Sequence, residues 1–278
     1  MTTELSGRGP RPMFIDSPSG RLFAVYHGPS AAPVHTAVLY VPPFAEEMNR
    51  SRRMAALQAR ALASRGCGVL LLDLIGTGDS AGEFGAARLE AWLADIRAGA
   101  DWLQRGHGGV PVLWGLRLGA LLACAVAADQ PQRFSRLLLW QPVLDGKAML
   151  RQFLRIRSAA TMTGGAAGET TGALRAQLAS GDALEVAGYE LSSELAAALD
   201  RMRLNDLALG VGSRVDWLEL GIEPSERLSP ASQRIADAWA AAGVSVLAKT
   251  VRGDPFWTLQ ETTLAPELLA ATVAVIGR

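Results

Sequence analysis

Uninterrupted apolar runs recur along the chain, among them GVLLLDL (68–74), VPVLWG (110–115) and RLLLWQ (136–141). A strand with no polar face has to be covered on both sides, and antiparallel sheets with one wet face do not read this way. Further strand-like runs are RLFAVYH, TAVLYV, VDWLEL and VSVLAKTV. Amphipathic or alanine-rich stretches fall between them: Arg53 to Arg65, Leu89 to Gln104, Leu118 to Ala128 and Gln233 to Ala242. The alternation predicts an α/β fold, a mostly parallel sheet with helices on both faces. The rhythm breaks between Val143 and about Val211, where no strong strand occurs. A helical cap inserted between two sheet strands accounts for the gap and divides the chain into core 1–142, cap 143–211 and core 212–278. The cap is expected over the carboxyl edge of the sheet, where open α/β sheets bind ligands. The glycine and threonine cluster from Thr163 to Gly172 reads equally well as a flexible part of this lid or as a plain surface loop.

Lysine plus arginine and aspartate plus glutamate each number 27, so no overall field favours nucleic acid or an anionic membrane. No apolar stretch reaches the roughly 18 residues of a membrane helix, and LGALLACAVAA fits a buried helix. The start, MTTELSGRGPRP, lacks the apolar segment of a signal peptide, which gives the cytoplasm as the expected address. Cys67 and Cys124 have neither metal nor redox spacing, so no disulfide, metal or cofactor is expected. Monomer and homodimer are both allowed.

The stretch DLIGTGDSAGEFG, from Asp73 to Gly85, satisfies the loose dinucleotide pattern G-x-G-x-x-G/A after a strand. Gly82 and Gly85 would interrupt the helix that such a site needs, and Asp79 would face a pyrophosphate with like charge. The glycines are read as turn residues.

A sharper signal is LWGLRLGAL, Leu113 to Leu121, which leaves a strand and opens a helix with Gly115 and Gly119 two residues either side of Arg117. That is the frame of the nucleophile elbow, G-x-S-x-G, in which small flanking residues allow a tight strand-to-helix turn. Arginine in the serine's place is permanently protonated, carries only donors and cannot form an acyl-enzyme.

In enzymes with this elbow the chain order is serine, acid, histidine. Here His27, His35 and His107 all precede Arg117. The loop after VSVLAKTV, RGDPFWTLQE, puts Asp254 or Pro255 where the base belongs, while Glu223 and Glu226 occupy the acid segment, Glu226 with the better spacing. Asp79 and Ser80 are the remaining candidates for catalysis, Ser80 having an adjacent acid and no evident base. After TAVLYV, the loop PPFAEEMNRSRR begins with two prolines, which remove backbone donors, and brings Glu46, Glu47 and Asn49 near the elbow. Arg117 then either pairs with these carboxylates or holds a ligand's anion.

The stretches VPPFAEEMNRSRRM, DLIGTGDSAGEF, LWGLRLGALLA, LLLWQPVLDGKAMLRQFLRIR, EVAGYELSSELAAAL and GDPFW together resemble the exosortase A system-associated hydrolases of the second type, within the α/β-hydrolase superfamily. The resemblance runs through nearly the whole chain. It implies the α/β-hydrolase fold, a bacterial setting in which exopolysaccharide genes accompany the sorting of PEP-CTERM proteins, and arginine at the elbow as a family trait. The function expected is binding of an anionic or polar ligand, or of a partner from that machinery, without the Ser-His pair. Arg117 is the anchor; Leu116, Leu118, Pro43, Phe44, Glu46, Glu47, Asn49, Asp254, Phe256 and Trp257 are the expected pocket residues. The alternative is an active esterase or acyltransferase of non-standard design using Asp79, Ser80, Glu226 or Asp254, or one of the loop glutamates.

Overall fold

A computed structural model describes residues 9–29, 33–163, 169–225, 227–259, 261 and 263–276. Its frame is an eight-stranded sheet. In chain order the strands are β1 (Arg11–Ser17), β2 (Gly20–His27), β3 (Thr36–Val41), β4 (Cys67–Leu72), β5 (Val112–Leu116), β6 (Arg136–Trp140), β9 (Arg214–Gly221) and β10 (Ser245–Arg252). Across the sheet they run β1-β2-β4-β3-β5-β6-β9-β10. Only β2 opposes the others, pairing antiparallel with both β1 and β4, while every neighbouring pair from β4 to β10 is parallel.

The apolar runs are continuous because alternate residues enter different cores. Val38, Val69, Trp114 and Trp140 face one layer with Met54, Leu62 and Leu268. Leu39, Leu70, Leu113 and Leu139 face the other with Trp92, Leu121 and Trp239. The first layer is built by α1 (Glu46–Ala63) and α8 (Pro266–Ile276), the second by α2 (Leu89–His107), α3 (Leu118–Asp129) and α7 (Pro230–Ala241). The expected mostly parallel, doubly covered sheet is thus the fold.

Between β6 and β9 the chain leaves the sheet through α4 (Gly146–Thr163), α5 (Thr171–Ala179), a hairpin of β7 (Leu184–Val186) and β8 (Tyr189–Leu191), and α6 (Ser193–Asp200). The expectation of an all-helical excursion is corrected by that hairpin, which is antiparallel with Glu185 opposite Glu190. Tyr189 carries it onto the core, its ring 5.1 Å from that of Phe84. Two further corrections concern the N-terminal half. β1, which is not among the strand-like runs read from the sequence, pairs in full with β2. Glu46, Glu47 and Asn49, read as loop residues, lie in the opening turns of α1. Two carboxylates in the first turn suit the positive end of a helix.

Candidate functional site at the strand-to-helix elbow

Arg117 caps α3 with φ 55° and ψ −118°. This is costly for a residue with a Cβ, of order 1–3 kcal/mol, and persists only where surroundings over-determine it. Here the surroundings do. The Arg117 N–H donates to Trp140 O at 3.0 Å, and Arg117 O accepts from the N–H groups of Ala120 and Val143, each at 3.1 Å. A Cβ on Gly115 would stand 2.3 Å from Ala120 Cα, and one on Gly119 would stand 2.1 Å from Val41 O. Both glycines therefore permit the contact of β5, α3 and the end of β3 that throws residue 117 outward. Ala45, at the start of α1, repeats the same backbone bend with φ 49° and ψ −125°. The ends of two helices converge on one point of the carboxyl edge.

What meets Arg117 there is Glu47. Arg117 Nε and Nη2 both donate to Glu47 Oε1, each at 3.4 Å, and both side chains are largely buried. Glu47 Oε2 is buried with no partner among the described residues. Burial holds the Glu47 carboxyl above its ordinary range, against the opposing pull of Arg117. On its other side the guanidinium carbon of Arg117 lies 5.4 Å from the ring centroid of Trp257, a cation–π arrangement. An outer ring of polar contacts surrounds the pair. Glu46 takes hydrogen bonds from Asn49 at 3.1 Å and Tyr189 at 3.3 Å and pairs with Arg50 at 3.5 Å, and Arg50 also donates to Thr258 O. Burial first, and Glu46 second, push the Tyr189 hydroxyl above its usual range.

Above this floor lies a cavity of about 390 Å³, walled by Phe44, Met149, Phe153, Ile156 and Trp257, with Glu46, Glu47, Arg50 and Arg117 at its polar end. Its charged lining is balanced, two carboxylates against two guanidinium groups. The arrangement can hold an apolar body and orient a polar end.

Of the expected pocket residues, the fold brings Arg117, Glu46, Glu47, Phe44 and Trp257 together at the cavity wall. Asn49 stands behind Glu46 and braces it. Leu116 and Leu118 point into the core at 0% and 1% exposure, so neither contributes to the cavity surface. Pro43 is buried in the turn between β3 and α1, and Phe256 is buried against Trp140 and Trp257. Asp254 is exposed and outside the cavity, and Trp257, three residues on, takes the place beside Arg117. Ser80 is tied into the frame: its hydroxyl donates to Asp73 O at 2.7 Å and accepts from the Phe23 N–H at 2.8 Å. Asp79 is exposed in that turn, its N–H donating to Asp73 at 3.1 Å. Asp73 itself is held bidentately by Arg52. Glu223 is exposed, and Glu226 lies outside the described residues.

All three histidines of the chain sit at the opposite, amino edge of the sheet. His27 stands level with Val69 near the start of β4, His35 bonds Arg65 O just before β3, and His107 meets the Tyr26 hydroxyl at 3.0 Å. Among the described residues no group of three His, Cys, Asp or Glu side chains could hold a metal ion, and no helix is long and apolar enough to cross a membrane.

Site residues beyond those expected are Arg50, Tyr189, Thr258 and the α4 wall. Met149, Phe153 and Ile156 follow one another at four and three residues, the spacing of one helix face, and that stripe was the available signal. Tyr189 carried none, since its place depends on how the hairpin folds back.

A family model described as serine aminopeptidase, S33, matches residues 32–197. Among solved structures, Est1E from Butyrivibrio proteoclasticus, in a complex with ferulic acid, superposes with a TM-score of 0.64 at 17% identity, over 95% of this chain and 96% of that one. Mouse alpha/beta hydrolase domain-containing protein 10 gives 0.61 at 15% identity, over 96% and 98%. A serine hydrolase without a lid from Xanthomonas campestris gives 0.55 at 15%, over 98% and 95%. No curated protein matches the chain by sequence. At these identities the structural likeness speaks for the fold, while the family match spans more than half of the sequence: the chain belongs to the serine aminopeptidase S33 family of α/β hydrolases.

Proposed function

We propose that this protein is a ligand-binding member of its hydrolase family that works without a Ser-His pair, with Arg117 as the anchor for the polar or anionic end of a small molecule. The observation that carries the reading is Arg117 at the elbow with Trp257 against it, while every imidazole of the chain lies at the far edge of the sheet. A hydroxyl nucleophile needs an adjacent base to attack at neutral pH; at this elbow an arginine holds the nucleophile's place and no imidazole is near it. The excursion 143–211 serves as the cover of the pocket. The sequence resemblance supports a setting in the exosortase and exopolysaccharide system. Two measurements test the reading together. A fluorophosphonate probe leaves the protein unlabelled, and a panel of anionic ligands gives a saturable rise in melting temperature that Arg117→Ala abolishes. Labelling at a serine, or stabilisation that survives Arg117→Ala, overturns it.

A second reading, an active hydrolase or acyltransferase of unusual design, draws support from Glu47, a cavity-wall carboxylate of raised pKa with one buried, unpartnered oxygen. Turnover of short acyl esters abolished by Glu47→Gln would establish it in place of the first.

A further inference from the structure

The salt bridge at the cavity floor is poorly made. Charge-assisted N–H···O contacts usually close to about 2.7–2.9 Å and use both carboxylate oxygens when they face a guanidinium. Here two nitrogens share Glu47 Oε1 at 3.4 Å, and Oε2 is left buried without a donor. A buried acceptor without a partner costs on the order of 1–3 kcal/mol, more when it is charged. Glu47 therefore holds Arg117 in a geometry that a better-placed carboxylate could improve upon.

The cavity walls indicate what that carboxylate would bring with it. Phe44, Met149, Phe153 and Ile156 line an apolar space leading away from Arg117. We infer that the pocket takes an amphipathic monocarboxylate whose headgroup replaces Glu47 on Arg117, and that Glu47 takes up one proton from solvent as it is displaced. The inference rests on the binding reading above and adds both the ligand class and the coupling.

Charge balance requires the proton. Glu46, Glu47, Arg50 and Arg117 sum to zero in the unliganded pocket, so an entering anion beside two ionised glutamates would leave an unpaired buried charge. With Glu47 neutral the lining is one positive charge in excess, which one carboxylate cancels. A protonated Oε2 then becomes a donor to the ligand's headgroup, and the unsatisfied acceptor disappears. A dianion would restore the imbalance, which is why a monocarboxylate fits and a phosphate monoester does not. Among the described residues the charged and titratable groups around this exchange are few, Tyr189 of the β7–β8 hairpin entering through its bond to Glu46. From α1 come Arg50 and Glu46, from the β5–α3 turn Arg117, and from β3 the buried Tyr40 hydroxyl, which also feels Arg52 and Asp73. The cavity residues from α4 and from the loop after β10 are uncharged: Met149, Gln152, Phe153, Ile156, Trp257 and Thr258. Burial already inclines Glu47 toward the neutral form.

The test is titration calorimetry of the full chain with sodium octanoate in buffers of different ionisation enthalpy, with octanol as the neutral control. Expected are uptake of about one proton per octanoate and an affinity that falls about tenfold per pH unit on the alkaline side. Glu47→Gln should remove both the uptake and the slope, and on the alkaline side it should bind octanoate at least about tenfold more tightly than the parent. Octanoate binding without proton uptake removes the exchange while leaving the binding reading standing. Octanol binding as well as octanoate, or no octanoate binding where another anion still stabilises the protein through Arg117, also overturns this inference alone. Octanoate binding unaffected by Arg117→Met overturns both.

Discussion

Trp257 covers the guanidinium of Arg117 from the loop that follows the last strand, 5.4 Å from ring centroid to Cζ. The indole is 5% exposed and continues a row of aromatic contacts through Phe256 to Trp140. Its removal takes away both packing and a cation–π contact. Trp257→Ala should destabilise the fold by about 3–5 kcal/mol as a buried large-to-small change. Trp257→Phe, which keeps a ring face toward Arg117, should lose less than half of that. Urea denaturation midpoints compare the two, and equal losses would show that a retained ring face toward Arg117 contributes nothing at this position.

Restoring the missing hydroxyl should not restore hydrolysis. Arg117→Ser places a serine on the bend, but no imidazole can reach it, because His27, His35 and His107 all stand at the amino edge. Turnover of p-nitrophenyl butyrate by Arg117→Ser should equal that of the parent protein within error. A rise of about a hundredfold, the lower end of what a positioned base contributes, would mean that some other group activates residue 117.

The bend was readable because sterics writes it into the sequence: only glycine tolerates the approach of Gly119 to Val41 O and of Gly115 to Ala120. The strands of the parallel sheet were readable because burial on both faces leaves no polar position to obscure them. The start of α1 was not, since Ala45 caps it by backbone conformation with no side-chain hydrogen bond, and so the chain displays no capping residue ahead of Glu46. β1 is an edge strand carrying Pro12 and Asp16, with most of its side chains outside the core, so it shows no continuous apolar run. The hairpin strands β7 and β8 are three residues each, too short to show a period. The loop after β10 lies beside Arg117 through Trp257, while Asp254 is exposed, and which side chain turns inward depends on how Phe256 is anchored.

The hairpin is seated by the buried Leu184, Val186 and Leu191 and fastened at its edge by one phenol. Tyr189 donates to Glu46 at 3.3 Å and accepts from Asn49 at 2.9 Å, which joins the cavity's cover to the first turn of α1. Tyr189→Phe keeps the ring edge-to-face with Phe84 and deletes only those bonds, at a cost of about 0.5–1.5 kcal/mol each. Hydrogen exchange should accelerate in residues 184–191 and remain unchanged in the strands of the main sheet. Uniform acceleration throughout the protein would mean that the clasp supports global stability and not the local seating of the cover.

Glu47 should give stability a pH dependence of unusual sign for a carboxylate. Its folded-state pKa is raised, with burial the largest cause and Arg117 opposing. The folded protein therefore holds this proton more tightly than the unfolded chain does. Linkage then requires that the contribution of Glu47 be fully present below the unfolded carboxyl value of about 4.3 and be lost as pH rises through the higher folded value, after which it is constant. A carboxylate strengthened by an ordinary surface salt bridge would behave oppositely, gaining stability over the same rise. The comparison that isolates the residue is the difference in urea midpoint between the parent and Glu47→Gln across the acid-to-neutral range. The parent should lose ground to the variant as pH increases. If it gains ground instead, the pairing with Arg117 outweighs burial, and the exchange of Glu47 for an incoming carboxylate loses its driving force.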